Sequence, residues 1–424
     1  MADNSNTTDE AAGAFIAAGP QKLWTRAFVC FFCVNFFIFM GFNILLPTLP
    51  LYLESHHATE AEIGRIFGIF VVSAIFMRML AARLAFSFSA PRLVIVGLLI
   101  CAAAAVGYYW ATTTPLAMLC RFIHGAGFGL ASTLITALVS QVIPLHRIGA
   151  GMGLLGVAPA VSLAAGPFFG LWLMDEWGFF VMFLAVVFCY IFGIIVAAIM
   201  PKVSLPSVER AVKAAENTPG DSDSVPAVQK PKLVLISRMV VAPSVLMLML
   251  GIVLSTAITY MALYCKERGL PYAGHFFVLS TVGILISRLN AGRLYDRKGH
   301  PYVILPAGVL LLACMTLLYV TDTRDMLFAA SLLYGFAVGA VFPSLQALAI
   351  SCAPMSRRTE AAASIMNAYD LGFGLGAVLT GQIAHLAGSY GVVYLTGAIV
   401  MLAFLLYYFM QYGSSLGRLK REIH

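Results

Sequence analysis

Three ionisable residues stand inside apolar runs, where charge is expensive. Asp370 lies in MNAYDLGFGLG beside Asn367 and Tyr369, about ten residues into its run. At 1.5 Å per helical residue the carboxyl is then about 15 Å deep, near the middle of a bilayer. A carboxylate there suits a group that loads and releases a proton; the alternative is a structural partner for a polar group on a neighbouring helix. Arg121 opens RFIHGAGFG, with His124 one turn away on the same face. A buried Arg should face a cavity or a carboxylate, in substrate or proton coupling, or else post hydrogen bonds to backbone carbonyls. His124 is either a titrating group or a neutral hydrogen-bonding one.

Other patterns carry less. His56 and His57 lie beside Glu54 and Glu60, but a solvated loop explains them better than a metal site, and no metal is expected. Cys30 and Cys33 form a CxxC with Phe31 and Phe32 between them, inside a continuous apolar helix, which argues against redox or zinc chemistry. The Gly-rich stretches follow no strand, so phosphate-loop readings fail, and no cofactor is expected. No convergent nucleophile or metal set suggests an enzyme.

The elements that must position these residues are membrane spans. Hydrophobic residues make up 61% of the 424, charged residues 11%, and mean hydropathy is +0.90. A soluble domain carries roughly 25% charged residues. Spanning runs of about 20 apolar residues read as 27–50, 62–84, 92–111, 115–142, 148–174, 178–200, 241–264, 272–294, 301–320, 326–350, 359–384 and 389–412. A polar stretch rich in Pro, Asp, Ser and Lys separates the sixth from the seventh and cannot build a core. The expected organisation is an N-terminal tail 1–26, a six-helix bundle 27–201, a linker 202–236, a second bundle 237–412 and a tail 413–424. The polar N-terminus, with Asp3, Asp9 and Glu10, does not read as a cleaved signal.

The net charge of +7 has no basic run with interleaved aromatics, so no nucleic-acid partner is expected. Instead, Lys22, Arg26, Arg92, Arg147, Lys202, Lys298, Arg357 and Arg418 fall on one side of the predicted spans with most other cations. By the positive-inside rule both termini and the linker face the cytoplasm.

The halves also repeat. MRMLAARLAFSFSAPRLVIVG aligns with SRLNAGRLYDRKGHPYVILPA, matching Arg78 to Arg288, Arg83 to Arg293 and Pro91 to Pro301. The same offset matches Gly125 to Gly335, Gly129 to Gly339, Pro144 to Pro354 and Gly166 to Gly376. Two such six-helix units are the pattern of transporters whose site lies between the halves.

On these residues the chain resembles the major facilitator superfamily over nearly its whole length. GRLYDRKGH, Gly292 to His300, is similar to the superfamily's loop motif between the second and third helices of a half. There Gly292 would let helix ends approach, while Asp296 with Arg293 and Arg297 would form a charge latch, with Arg288, Arg78 and Arg83 as further members. Phe86 and Ser87 replace Asp296 and Arg297 in the first-half copy. RFIHGAGFG resembles the proton-linked motif, with His124 where Gln is usual. GLLGVAPAVSLAAGPFFG resembles the antiporter motif through Gly153, Gly166, Pro167 and Gly170, with Ser162 in place of one Gly; its small residues and Pro would allow packing and a bend at the interface between halves. The resemblance implies cavity-lining roles for Asn35 and Asn43 in the first span and Thr256, Thr259 and Tyr260 in the seventh. Asn367 and Tyr369 join them as candidate substrate contacts.

The expected protein is an all-α twelve-helix secondary transporter of the proton-coupled efflux branch, with a fainter likeness to staphylopine-type metallophore exporters. Asp370, Arg121 and His124 would couple protons to export of a small organic molecule. The expected partners are that solute, protons and the lipid bilayer; the expected state is a monomer in a bacterial inner membrane. Nutrient symport or uniport is the alternative, followed by a polytopic enzyme or receptor.

Overall fold

The computed structural model describes residues 24–143, 154–200, 236–354 and 358–422. Its long helices are α1 Arg26–Ser55, α2 Glu60–Ser87, α3 Ala90–Tyr108, α4 Thr114–Val142, α5 Val157–Ala198, α6 Val241–Thr259, α7 Met261–Glu267, α8 Ala273–Lys298, α9 Pro301–Tyr319, α10 Arg324–Ser351, α11 Arg358–Ala387 and α12 Gly391–Glu422. Local sequence sets where they start. Thr25 Oγ1 accepts from Phe28 N, and Thr59 with Glu62 closes a capping box on α2. Pro stands in the first turn of α3, α4 and α9, where its missing N–H costs nothing.

Two boundaries differ from the sequence reading, at α1 and in the seventh span, and one break agrees with it. α1 runs past Pro47 and Pro50 to Ser55, because the first span stays helical through prolines whose freed carbonyls neighbouring groups can satisfy. α5 has 42 residues, about 63 Å if straight, twice the hydrocarbon thickness. It is two limbs joined at Gly178, whose φ of 80° breaks the helix where the sequence reading begins its sixth span. The seventh span is interrupted at Tyr260, between α6 and α7. Counting the two limbs of α5 separately and α6 with α7 together, the described residues cross the membrane twelve times, as expected.

The crossings form two six-helix bundles. In the first, α1 packs on α5, α2 on α4, and α3 on α4 and α5; in the second, α6 packs on α11, α8 on α10, and α9 on α10 and α12. α2 meets α11 and α8 meets α5 across the seam between them. The sequence repeat is a physical repeat. A Cβ at Gly125 would collide with Phe70 O, and one at Gly335 with Ser280 O. Phe70 and Ser280 are themselves related by the offset that relates the glycines, so both halves build the same close crossing. Large apolar side chains such as Phe188, Ile195, Leu402 and Phe409 stand outward, as lipid-facing residues must. Trp24, Trp110 and Trp177 are exposed at helix ends, at the depth of headgroups.

Candidate functional site

A cavity of about 310 Å³ lies between the bundles, walled by α1, α2, α4, the first limb of α5, α6, α8, α10 and α11. Most of its wall is apolar and aromatic. Its charged members are Arg78, Arg121, Arg288 and Asp370.

Arg78 of α2 and Asp370 of α11 form an ion pair, Nη1 to Oδ2, across the seam. Their side chains are 23% and 21% exposed, so both reach the cavity. The pair closes the inner end of a seam whose opposite end is packed without room for side chains. A Cβ at Gly64 would stand 2.5 Å from Ala377 O, and one at Gly381 2.6 Å from Glu60 O. At that far end, the one carrying the α1–α2 and α11–α12 turns, Glu54 Oε2 accepts from Lys266 Nζ at 2.6 Å. Glu60 Oε2 lies 3.0 Å from His385 Nδ1. These are the three polar contacts that join the bundles among the described residues.

Arg121 is buried with its guanidinium carbon 4.4 Å from the Phe67 ring centre, 4.5 Å from Phe70 and 5.8 Å from Phe42. Such contacts stabilise a desolvated cation by about 2 kcal/mol. Its Nε has no hydrogen-bond partner, while Nη1 lies 3.5 Å from His124 Nδ1. His124 is fully buried behind it, with Nε2 2.7 Å from Tyr190 Oη and Nδ1 3.1 Å from Tyr108 Oη.

A second space of about 620 Å³ shares Gly156, Pro159, Arg288 and Phe342 with the first and extends along α8 and α10 past Tyr295, Asp296 and Gln346. It runs toward the end of the molecule where α5 stops and α6 starts, the linker end. The central cavity is therefore closed at the far end and continued toward the linker end.

The Major Facilitator Superfamily model matches residues 31–371 and 272–422. This chain belongs to that superfamily. It is 24% identical over 375 residues, 87% of its length and 93% of the other's, to an uncharacterized MFS-type transporter of Methanocaldococcus jannaschii. It is 26% identical over 333 residues to the multidrug resistance protein MdtG of Klebsiella pneumoniae, covering 73% of this chain and 75% of that one. Among solved structures, a point mutant of the nucleoside transporter NupG superposes with a TM-score of 0.71 at 15% identity, over 90% of this chain and all of that one. The fold is that of the superfamily, and superfamily members are transporters rather than enzymes.

Within this superfamily frame the expected site residues fall into groups. Asp370, Arg121, Asn43 and Tyr369 line the cavity. His124 does not; it supports Arg121 from behind. Asn35 donates to Leu155 O at 3.4 Å, Thr256 to Val253 O at 2.7 Å and Tyr260 to Ala377 O at 2.7 Å, all away from the cavity wall. Thr259 is buried with its hydroxyl unpartnered and Asn367 is buried, and neither lines the cavity. Asp370 has a charged partner on a neighbouring helix, Arg78.

Of the latch set, Arg78 and Arg288 stand on the cavity wall. Arg83, Arg293, Asp296 and Arg297 are exposed, and among the described residues no ion pair joins them. The reason given for Gly292 does not hold in this state, since a Cβ there would meet nothing within 4 Å. The small residues of α5 pack on α1 of their own bundle, which corrects the expected bend between halves. Gly166 and Gly170 lie against Asn43, Ile44 and Thr48, Ser162 Oγ accepts from Asn43 Nδ2 at 3.2 Å, and Pro167 is buried. Gly153 lies outside the described residues.

The far-end contacts of Glu54 and Glu60 escaped the sequence reading, as did the phenyl sleeve of Arg121. Their one signal was the repeat, which makes α2 and α11 facing helices of opposite halves.

Proposed function

We propose that this chain is a proton-coupled secondary transporter that exports a small organic molecule by alternating access, with the linker end at the cytoplasm. The observation that carries the reading is the Arg78–Asp370 pair. Asp370 is the one carboxylate on the cavity wall among the described residues, it bonds across the seam, and water entering the cavity can bring it a proton. Protonation discharges the pair and removes one of the three polar ties between bundles among the described residues; deprotonation restores it. Proton loading thereby biases a two-state element, which is what coupling requires. Arg121 acts beside it as a fixed cation, and His124 holds Arg121 in place.

The cation-rich linker side supports the assigned orientation in a cytoplasmic membrane. Similarity to a multidrug resistance protein, with the Gly-Pro pattern of α5, supports export. Arg293, Asp296 and Arg297 belong to the alternate state, engaging when the linker end closes. A second reading, cotransport inward, is favoured by the charge of the cavity, where three arginines face one carboxylate.

Purified protein in liposomes with an imposed pH gradient tests the proposal. The expected result is solute movement that stops when a protonophore collapses the gradient. Movement indifferent to the gradient contradicts coupling, and chemical turnover of the solute contradicts transport.

A further inference from the structure

The charge balance of the cavity is uneven. Arg78 is matched by Asp370, and among the described residues Arg288 has no hydrogen bond or ion pair although it borders both spaces. Arg121, on the first bundle's side of the same cavity, leaves a buried Nε unsatisfied. Across from it in the second bundle, Tyr334 is 2% exposed, lines the cavity and has no partner for its hydroxyl. Buried donors without acceptors are costly, by about 1–3 kcal/mol each, and a ligand that supplies the acceptor recovers that cost. The remaining wall is aromatic and aliphatic, including Phe67, Phe70 and Phe342.

We infer that the transported solute is an aromatic organic anion, its carboxylate or other acidic group bound by Arg288 with Arg121 and Tyr334, and its ring system held among the phenylalanines. A cationic solute would meet two arginines that no carboxylate on the described wall offsets, and like charge disfavours it. Arg288 is the group that sets this preference, because among the described residues it has neither an acid partner, as Arg78 has, nor a phenyl sleeve, as Arg121 has. The cavity volume falls at the small end of ligand pockets, about 300–1,000 Å³, and fits one compact ring system. This rests on the cavity being the transport site; it does not depend on the direction of transport.

Binding of three probes with one shared ring tests it: 2-naphthoate, the neutral 2-naphthamide and 2-naphthylmethylammonium, measured calorimetrically on the purified full chain. Naphthoate is expected to bind saturably and about tenfold more tightly than the amide, a charge-assisted contact's worth. The ammonium compound is expected not to compete. Arg288→Gln should weaken naphthoate about tenfold and leave the amide unchanged, while Arg288→Lys restores part of the loss. Tighter binding of the ammonium probe, indifference of naphthoate to Arg288→Gln in monodisperse protein, or no saturable naphthoate binding overturns the inference. Flux in liposomes is read separately: bound naphthoate that does not follow the gradient contradicts the coupling proposal and leaves the anion site standing.

Discussion

Asp370, Arg121 and His124 show how far residue type alone leads. A mid-helix carboxylate and an intramembrane arginine are visible in a string of letters because apolar surroundings make them expensive. What each one touches is not visible. Asp370 is tied to Arg78, 292 positions earlier, and no local pattern marks that pairing. His124 illustrates the opposite outcome, since its two ring nitrogens are occupied by tyrosine hydroxyls behind the cavity. His124→Ala should orphan two buried hydroxyls and the Arg121 contact, lowering thermal stability by an amount of the order of 2–4 kcal/mol. His124→Gln, which can accept one hydroxyl and donate to another, should retain transport. A thermal melt beside a flux measurement checks both; equal loss of flux in the two variants with no change in melting would make the imidazole a coupling group instead.

At the scale of elements, the seam of α2 and α11 governs the far end. Backbone comes so close at Gly64 and Gly381 that any side chain displaces a helix. Gly381→Val should therefore favour the far-end-open state, reducing transport at least about tenfold, with overpacking costing about 1–3 kcal/mol. A cysteine placed at Ile258, buried on the cavity wall, would then label faster with a membrane-impermeant reagent added at the far side; unchanged labelling would show that the seam does not seal this end.

Most helices were legible as apolar runs of spanning length, and their pairing was legible through the repeat. Gly125 and Gly335 kept register because each half needs the same crossing against Phe70 O and Ser280 O. The run of α1 past Pro50 was not legible, because proline ends helices in water but is tolerated where neighbours satisfy the backbone. The packing partner of the Gly166–Gly170 stretch was misread for another reason: small residues announce a close contact without naming the helix that makes it.

At the scale of the whole molecule, a cavity sealed at one end and continued at the other is one half of an alternating-access cycle. The exposed Arg293, Asp296 and Arg297 are then a disengaged latch. Asp296→Asn should speed linker-end opening, seen as faster labelling of a cysteine at Gly292, while leaving Ile258→Cys slow to label from the far side in the resting protein. If both ends label alike, the two-state account of the bundles fails.

The claim on which all of this depends is that Asp370 couples protons to solute movement. Counterflow and gradient-driven accumulation, measured side by side in liposomes carrying native protein or Asp370→Asn, test it directly. Exchange of solute across equal pH needs only a cavity that rocks, whereas accumulation needs a proton site. The account predicts that Asp370→Asn keeps counterflow and loses accumulation. Accumulation at the native level in Asp370→Asn would contradict it.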